Sequence, residues 1–334
     1  MTAAVQAGQP VPAGTASRLS PHRPFGDRAF RVLALVSGLL VLVILALIAV
    51  TMSQQSTAWF TSEGWSGIFS VDWDPAHGKF GAMAFVYGTA VVSLIAVVIA
   101  YPVSMGVALL LTEVVPRRWS RPFVYVIDLL AVVPSVVWGL WGIQILVPWL
   151  QQAVYPHIAS AVNGIWILDD LFGFLNGNYV SGASFFTAGL VLAIMITPIV
   201  TSLSREVIAT VPNSDKEGAY ALGATRWEMI RGVVWPHSQT GIVGATLLGL
   251  GRAMGETIAV ALVMGSSATI TSHLFTPGYA MPGVIANQFG EATVGVFRAA
   301  LIGMGVLLFL LTIIINLSAR AAVARNARRT RGTA

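Results

Sequence analysis

Between residues 80 and 112 no side chain carries a charge. About 20 helical residues cross the ~30 Å hydrocarbon core of a bilayer. Inside lipid the backbone amides and carbonyls must be satisfied within the segment itself. The stretch therefore predicts a transmembrane helix that overruns one interface and bends at Pro102. Apolar runs at 32–50, 124–149, 183–203, 241–264 and 296–317 repeat the pattern. The 334 residues are 56% hydrophobic and 10% charged, against about 25% charged in soluble domains. We read an all-α, polytopic membrane protein with six transmembrane helices.

The organisation follows from what separates the runs. Residues 1–24 are rich in Ala, Gly, Pro and Ser and predict a disordered tail. The run at 32–50 exceeds a signal-peptide core and no A-x-A site closes it, so it reads as a retained first span. The polar stretch 53–79 holds Trp59, Trp65 and Trp73, which predict positions at a membrane–water interface. Arg117, Arg118 and Arg121 form a short basic loop before the third span, with Asp128 near its start. The segment 281–289 is apolar but too short to cross and reads as a re-entrant or interfacial turn. The membrane domain covers 25–319, and 320–334 is a basic tail. Of the 19 Lys and Arg, all but Lys79, Arg252 and Arg298 fall in 1–31, 113–123, 204–240 or the C-terminal tail. That asymmetry predicts both termini on the cytoplasmic side. It also accounts for the net charge of +5 without a nucleic acid.

Several chemistries are excluded. There is no cysteine, hence no disulfide, thiolate metal site or thiol nucleophile. A phosphate-cradling loop needs GK[ST], but Lys79 precedes Phe80 and Lys216 precedes Glu217. If ATP drives this protein, another chain binds it. The five histidines lie in different segments, so no metal site is expected.

The loop 204–240 carries a specific pattern. Asn213 or Ser214 can cap a helix whose first turn holds Asp215 and Glu217, Gly223 can end it, and a second helix can start near Ala224. Two short helices joined at a glycine make a knob able to enter a cleft and carry a rigid-body push. Permease subunits of bacterial ATP-driven importers carry E-A-A, three residues, G, nine residues, I-x-L-P. This chain resembles them through Glu217-Gly218-Ala219, Gly223, Val233 and Trp235-Pro236, departing at Gly218, Val233 and Trp235. The resemblance implies that the loop is a cytoplasmic coupling element docking on an ATPase subunit.

The fifth run contains two charges. Arg252 lies eleven residues after Gly241, about 16 Å along a helix at 1.5 Å per residue, near mid-depth. Glu256 follows four residues on, one turn away on the same face of a continuous helix. In one reading the two charges neutralise each other inside a bundle. In the other, Arg252 borders a watery path and attracts an anion while Glu256 positions the guanidinium. Both can hold, since a guanidinium has five donors and its fork suits tetrahedral oxyanions. Gly251 and Gly255 form a G-x-x-x-G face for close helix packing, the neighbouring helix being open.

The segment GRAMGETIAV (251–260), following the coupling motif, and VPSVVWG (133–139) resemble the PstC-type permeases of bacterial phosphate ABC importers over residues 80–318. The resemblance implies phosphate as cargo and Arg252 and Glu256 on its path. It implies a PstA-like second permease, a PstB-like ATPase dimer that binds ATP and Mg, and a PstS-like external binding protein. No cofactor is expected on this chain. Asp169 and Asp170 read first as a solvated loop and second as a contact for the binding protein. A sulfate or molybdate permease, a passive anion channel and a membrane-anchored sensor stand as alternatives.

Overall fold

The computed structural model describes residues 24–162, 182–292 and 295–331. The expected tail at 1–23 and the acids Asp169 and Asp170 lie outside them. The chain divides into two units, Met1–Thr51 and Met52–Ala334. The first holds most of helix α1 (Pro24–Gln55), which is apolar and long enough to cross a membrane.

The second unit starts with α2 (Thr57–Glu63) and an antiparallel hairpin, β1 (Trp73–Asp74) and β2 (Lys79–Phe80), with Trp73 opposite Phe80. Helix α3 (Met83–Leu109) runs into a wide turn, Leu110–Val114. Then come α4 (Arg117–Ala131), α5 (Ser135–Trp141), from which the chain stays helical to Val162, and α6 (Phe185–Ala209). Short helices α7 (Asn213–Ala221) and α8 (Arg226–Met229) precede α9 (Trp235–Met254), α10 (Ile258–Met264), α11 (Met281–Gln288) and α12 (Val296–Arg331).

Four helical stretches are long and apolar enough to cross a membrane: Arg28–Glu63, Met83–Val114, Phe185–Ala209 and Val296–Ala321. Two more crossings arise only if each of two bent pairs counts as one span, Arg117–Ala131 with Ser135–Ile158 at 90°, and Arg226–Met254 with Ile258–Met264 at 64°. The third span is therefore not the single helix expected from its length. Pro134 lacks an amide hydrogen and disfavours the helical region for the residue before it, so α4 stops at Ala131 and the chain turns. Arg117, Arg118 and Arg121 belong to α4 rather than to a loop.

Helix α6 packs along α3 and against α9. Val92, Ala96 and Ala100 meet Ala188, Leu192, Met195 and Ile196 in the main apolar cluster. Small side chains on α3 let the helix backbones approach closely, the packing mode available where lipid supplies no hydrophobic drive. Two of the three tryptophans expected at an interface turn their indoles into the protein. Trp59 is buried and donates from Nε1 to the Phe80 carbonyl (2.9 Å). Trp73 donates to Gln288 Oε1 (2.9 Å) and sits edge-on to Phe85. Each indole found a polar partner within the chain, so its polar end has no need of the interface. Trp65 alone is exposed. The expected C-terminal tail continues α12 as far as Arg331.

The broken halves pack on each other: α5 lies against α10, with Gly139 facing Ala259. A Cβ at Gly139 would sit 2.8 Å from the Ala259 Cα, a backbone atom that has little room to move. Gly139→Leu should separate α5 from α10 at a cost of about 1–3 kcal/mol. A lowered thermal midpoint of the detergent-solubilised complex would register it, and an unchanged midpoint would exclude the close packing.

Candidate functional site

Helix α9 ends at Met254, so Arg252 lies in its last turn, and α10 starts at Ile258. Arg252 and Glu256 are therefore not a turn apart on one helix as expected. The Gly255 amide donates to Gly251 O (3.3 Å) and the Glu256 amide to Ala253 O (3.3 Å), which closes α9. Glu256 is 9% exposed, and its Oε1 accepts from the Ala259 amide (3.4 Å) in the first turn of α10. The carboxylate answers an orphan donor at a helix start, and the guanidinium lies at a helix end where backbone carbonyls carry partial negative charge. The break thus supplies each charge with a favourable backbone field.

The side chains diverge. The ion pairs among the described residues are His77–Asp74, Lys79–Asp72, Arg205–Asp128 and Lys216–Glu113; neither Arg252 nor Glu256 takes part in one. The expected mutual neutralisation is absent because Glu256 turns toward α10. Arg252 is exposed on the surface of the chain, while Ala253 and Met254 beside it are buried.

The glycines mark the same open face. A Cβ at Gly251 would meet nothing within 4 Å, and one at Gly255 only the carbonyls of Gly251 and Arg252. The expected G-x-x-x-G contact is not made among the described residues. Gly241 and Gly249 do face a neighbour, α6, at Val207 and Val200. Helix α9 thus packs one side on α6 and leaves Leu248, Gly251 and Arg252 outward.

The coupling segment forms the two short helices that the spacing predicted. Helix α7 ends as a glycine motif does: Gly223 has φ +85°, its amide donates to Tyr220 O (3.0 Å), and the Ala224 amide donates to Ala219 O (3.1 Å). Its start differs from expectation. Pro212 precedes it and neither Asn213 nor Ser214 caps it, since both fall inside the helix. Thr225 starts α8 with a capping box: its hydroxyl accepts from the Glu228 amide (3.4 Å), and Glu228 Oε2 accepts from Thr225 N (2.7 Å) and Oγ1 (2.8 Å). Glu217, Gly218 and Pro236 are exposed, and Ala219 is half-buried. At the tip, Leu222 is 91% exposed and Trp227 66%. Beneath, Ala219 packs on a cluster of Met105, Ala108, Ile208, Val211, Met229 and Ile230 that joins the ends of α3 and α6.

Two polar links escaped sequence reasoning. Asp128, expected at an interface, accepts from Ser202 Oγ (2.9 Å) and stands 4.0 Å from Arg205, tying α4 to α6. Lys216 Nζ donates to Glu113 Oε1 (2.6 Å). Its partners are 103 residues apart, and no local pattern connects them.

Residues 100–332 match the family described as "Binding-protein-dependent transport system inner membrane component". The chain belongs to this family, whose members are multi-pass membrane permease components. It is 39% identical over 322 residues to a "Phosphate transport system permease protein PstC" of Mesorhizobium japonicum, covering 96% of this chain and 97% of that one. It is 40% identical over 316 residues to the Mycobacterium tuberculosis protein named PstC 2, covering 93% and 95%. The PstC-type resemblance carried by residues 251–260 is thereby borne out. Two solved structures share the fold: a bacterial alginate ABC transporter (TM-score 0.54, 16% identity, 90% of this chain and 97% of that one), and the inward-facing MetNI methionine ABC transporter (0.53, 15%, 72% and 94%).

The capping box has a pH signature. The Thr225 amide, and then its hydroxyl, hold the Glu228 carboxyl below its ordinary value. A lowered folded value means that the stabilisation is full above the ordinary glutamate range and is lost as pH falls through the lowered value. Hydrogen exchange at the 226–230 amides should accelerate on acidification beyond the intrinsic rate. In Glu228→Gln that extra acid dependence should vanish; its persistence would remove Glu228 as the cause.

Proposed function

We propose that this chain is the PstC-type permease subunit of an ATP-driven importer and forms half of the pathway for inorganic phosphate across the cytoplasmic membrane. The observation that carries the reading is Arg252: an exposed guanidinium deep in an apolar segment, outside every ion pair among the described residues, beside a glycine face that packs on none of them. A charge at that depth costs at least about 2.5–3.5 kcal/mol in lipid. A watery path shared with a second subunit removes the penalty and presents five donors to a tetrahedral anion. The relatives named phosphate permeases support the choice of cargo.

Both termini lie in the cytoplasm, as the distribution of basic residues favours. Residues 213–236, with Glu217, Gly218, Ala219, Gly223 and Pro236, dock on an ATPase subunit. The second permease is PstA-like and covers Gly251, Gly255 and Arg252. A PstB-like dimer binds ATP and Mg, and a PstS-like protein delivers phosphate from outside. Hydrolysis on the partner rocks the two permeases between inward- and outward-open states, and this chain catalyses no covalent step. Glu256, turned toward α10, steadies the break beside Arg252 rather than touching the anion.

The test is the purified assembly in proteoliposomes, with phosphate, sulfate and molybdate competing for uptake. Phosphate should dominate; preferred uptake of either rival anion would reassign the cargo, and flux without ATP would make the chain a channel. Arg252→Ala should lower phosphate uptake about a hundredfold or more while the complex assembles. Arg252→Lys should fall between, keeping the charge and losing the fork. Normal uptake in Arg252→Ala would take this residue off the path. Leu222→Asp should weaken ATPase docking and abolish phosphate-stimulated hydrolysis; wild-type stimulation would refute the docking role of the knob.

A further inference from the structure

Helix α7 has no buried side chain and meets the apolar cluster beneath it through half-buried Ala219, and such packing resists separation better than sliding. One contact is different. Lys216 Nζ lies 2.6 Å from Glu113 Oε1, with the two side chains only 15% and 7% exposed. Among the described residues it is the one side-chain hydrogen bond or ion pair that joins α7 to a spanning helix. A shielded pair of this kind is a directional link, and its best-attested use is to fix register.

The position of Glu113 gives the link a consequence. It sits in the wide turn Leu110–Val114 that closes α3. Helix α3 is 27 residues long, about 40 Å at 1.5 Å per residue. At its other end Thr89 Oγ1 accepts from the Met281 amide (2.9 Å), which starts α11. Tyr279, two residues earlier, packs edge-on against Phe85 of α3. A displacement of α7 carried by Lys216 to Glu113 therefore acts on the helix that, beyond Pro102, holds the segment 279–281 through Thr89 and Phe85.

We infer that the Lys216–Glu113 ion pair is a coupling strut, converting movement of α7 into movement of α3 and, through Thr89, of the segment leading into α11. This rests on the reading of residues 213–236 as the ATPase-docking element. Both residues act as positioning residues, since neither touches phosphate or nucleotide.

The charge-reversed pair is the decisive variant. Lys216→Glu places an acid in the first half of α7, and Glu113→Lys places a base at the end of α3, both favoured by the helix dipoles. The full assembly with its partner subunits and binding protein, in proteoliposomes, reports ATP hydrolysis and phosphate uptake together. Lys216→Met and Glu113→Gln should each cut phosphate transported per ATP about tenfold, the scale of a typical coupling energy. In Glu113→Gln, which lies outside the docking element, hydrolysis itself should stay close to wild type. The reversed pair should restore the ratio to near wild type, a rescue that loss of packing alone would not show. Wild-type ratios in the single variants, or a reversed pair that fails to assemble or to restore the ratio, would overturn the strut. If a single variant does not assemble, the reversed pair decides alone. Leu222→Asp separates this failure from that of the docking reading. An uncoupled Leu222→Asp beside coupled single variants removes the strut only, whereas wild-type behaviour in Leu222→Asp removes the docking element beneath it.

Discussion

An α-helix that stops inside an apolar run leaves carbonyls and amides without partners, and lipid offers none. The break at residues 255–257 meets this constraint with the two charges of the segment. Arg252 stands at the carbonyl end of α9, and Glu256 accepts from an amide of α10. Each charge is held by backbone polarity, so neither has to be spent on the other. The guanidinium thereby stays available at the chain surface, the condition for any role in attracting an anion.

The break is itself stabilised from a distance. The other interrupted span turns at Pro134, and its second half, α5, rests on α10 through the close approach of Gly139 to Ala259. Two helices too short to cross a bilayer support one another, and α6 packs against both. Irregular backbone at membrane depth persists where protein surrounds it or water reaches it. Here the packing of α5 on α10 supplies the first.

The knob shows how local chemistry builds a surface element without a core of its own. Gly223 closes α7, Thr225 and Glu228 open α8, and the turn between them is held by hydrogen bonds within a dozen residues. The apolar cluster beneath it comes from the ends of α3 and α6. The knob and the broken helix belong to one continuous stretch of chain, Arg226–Met254, which starts in the knob and carries Arg252 in its last turn.

What the sequence determined by itself is what short-range rules govern. Long uncharged runs require helices in lipid, and Gly223 between two short helical stretches predicts a two-helix knob. The segment at 251–260 marks the family. What only the tertiary structure decided depends on partners far apart in the chain. Hydropathy sums over a run and is blind to a break inside it, so the 90° and 64° bends, and with them the separation of Arg252 from Glu256, were invisible. That Trp59 and Trp73 turn inward was equally invisible, because their acceptors, Phe80 O and Gln288 Oε1, are supplied by the fold. Lys216 and Glu113 meet for the same reason: across 103 residues, only the packing of α3, α6 and α7 brings a cation and an anion to one point.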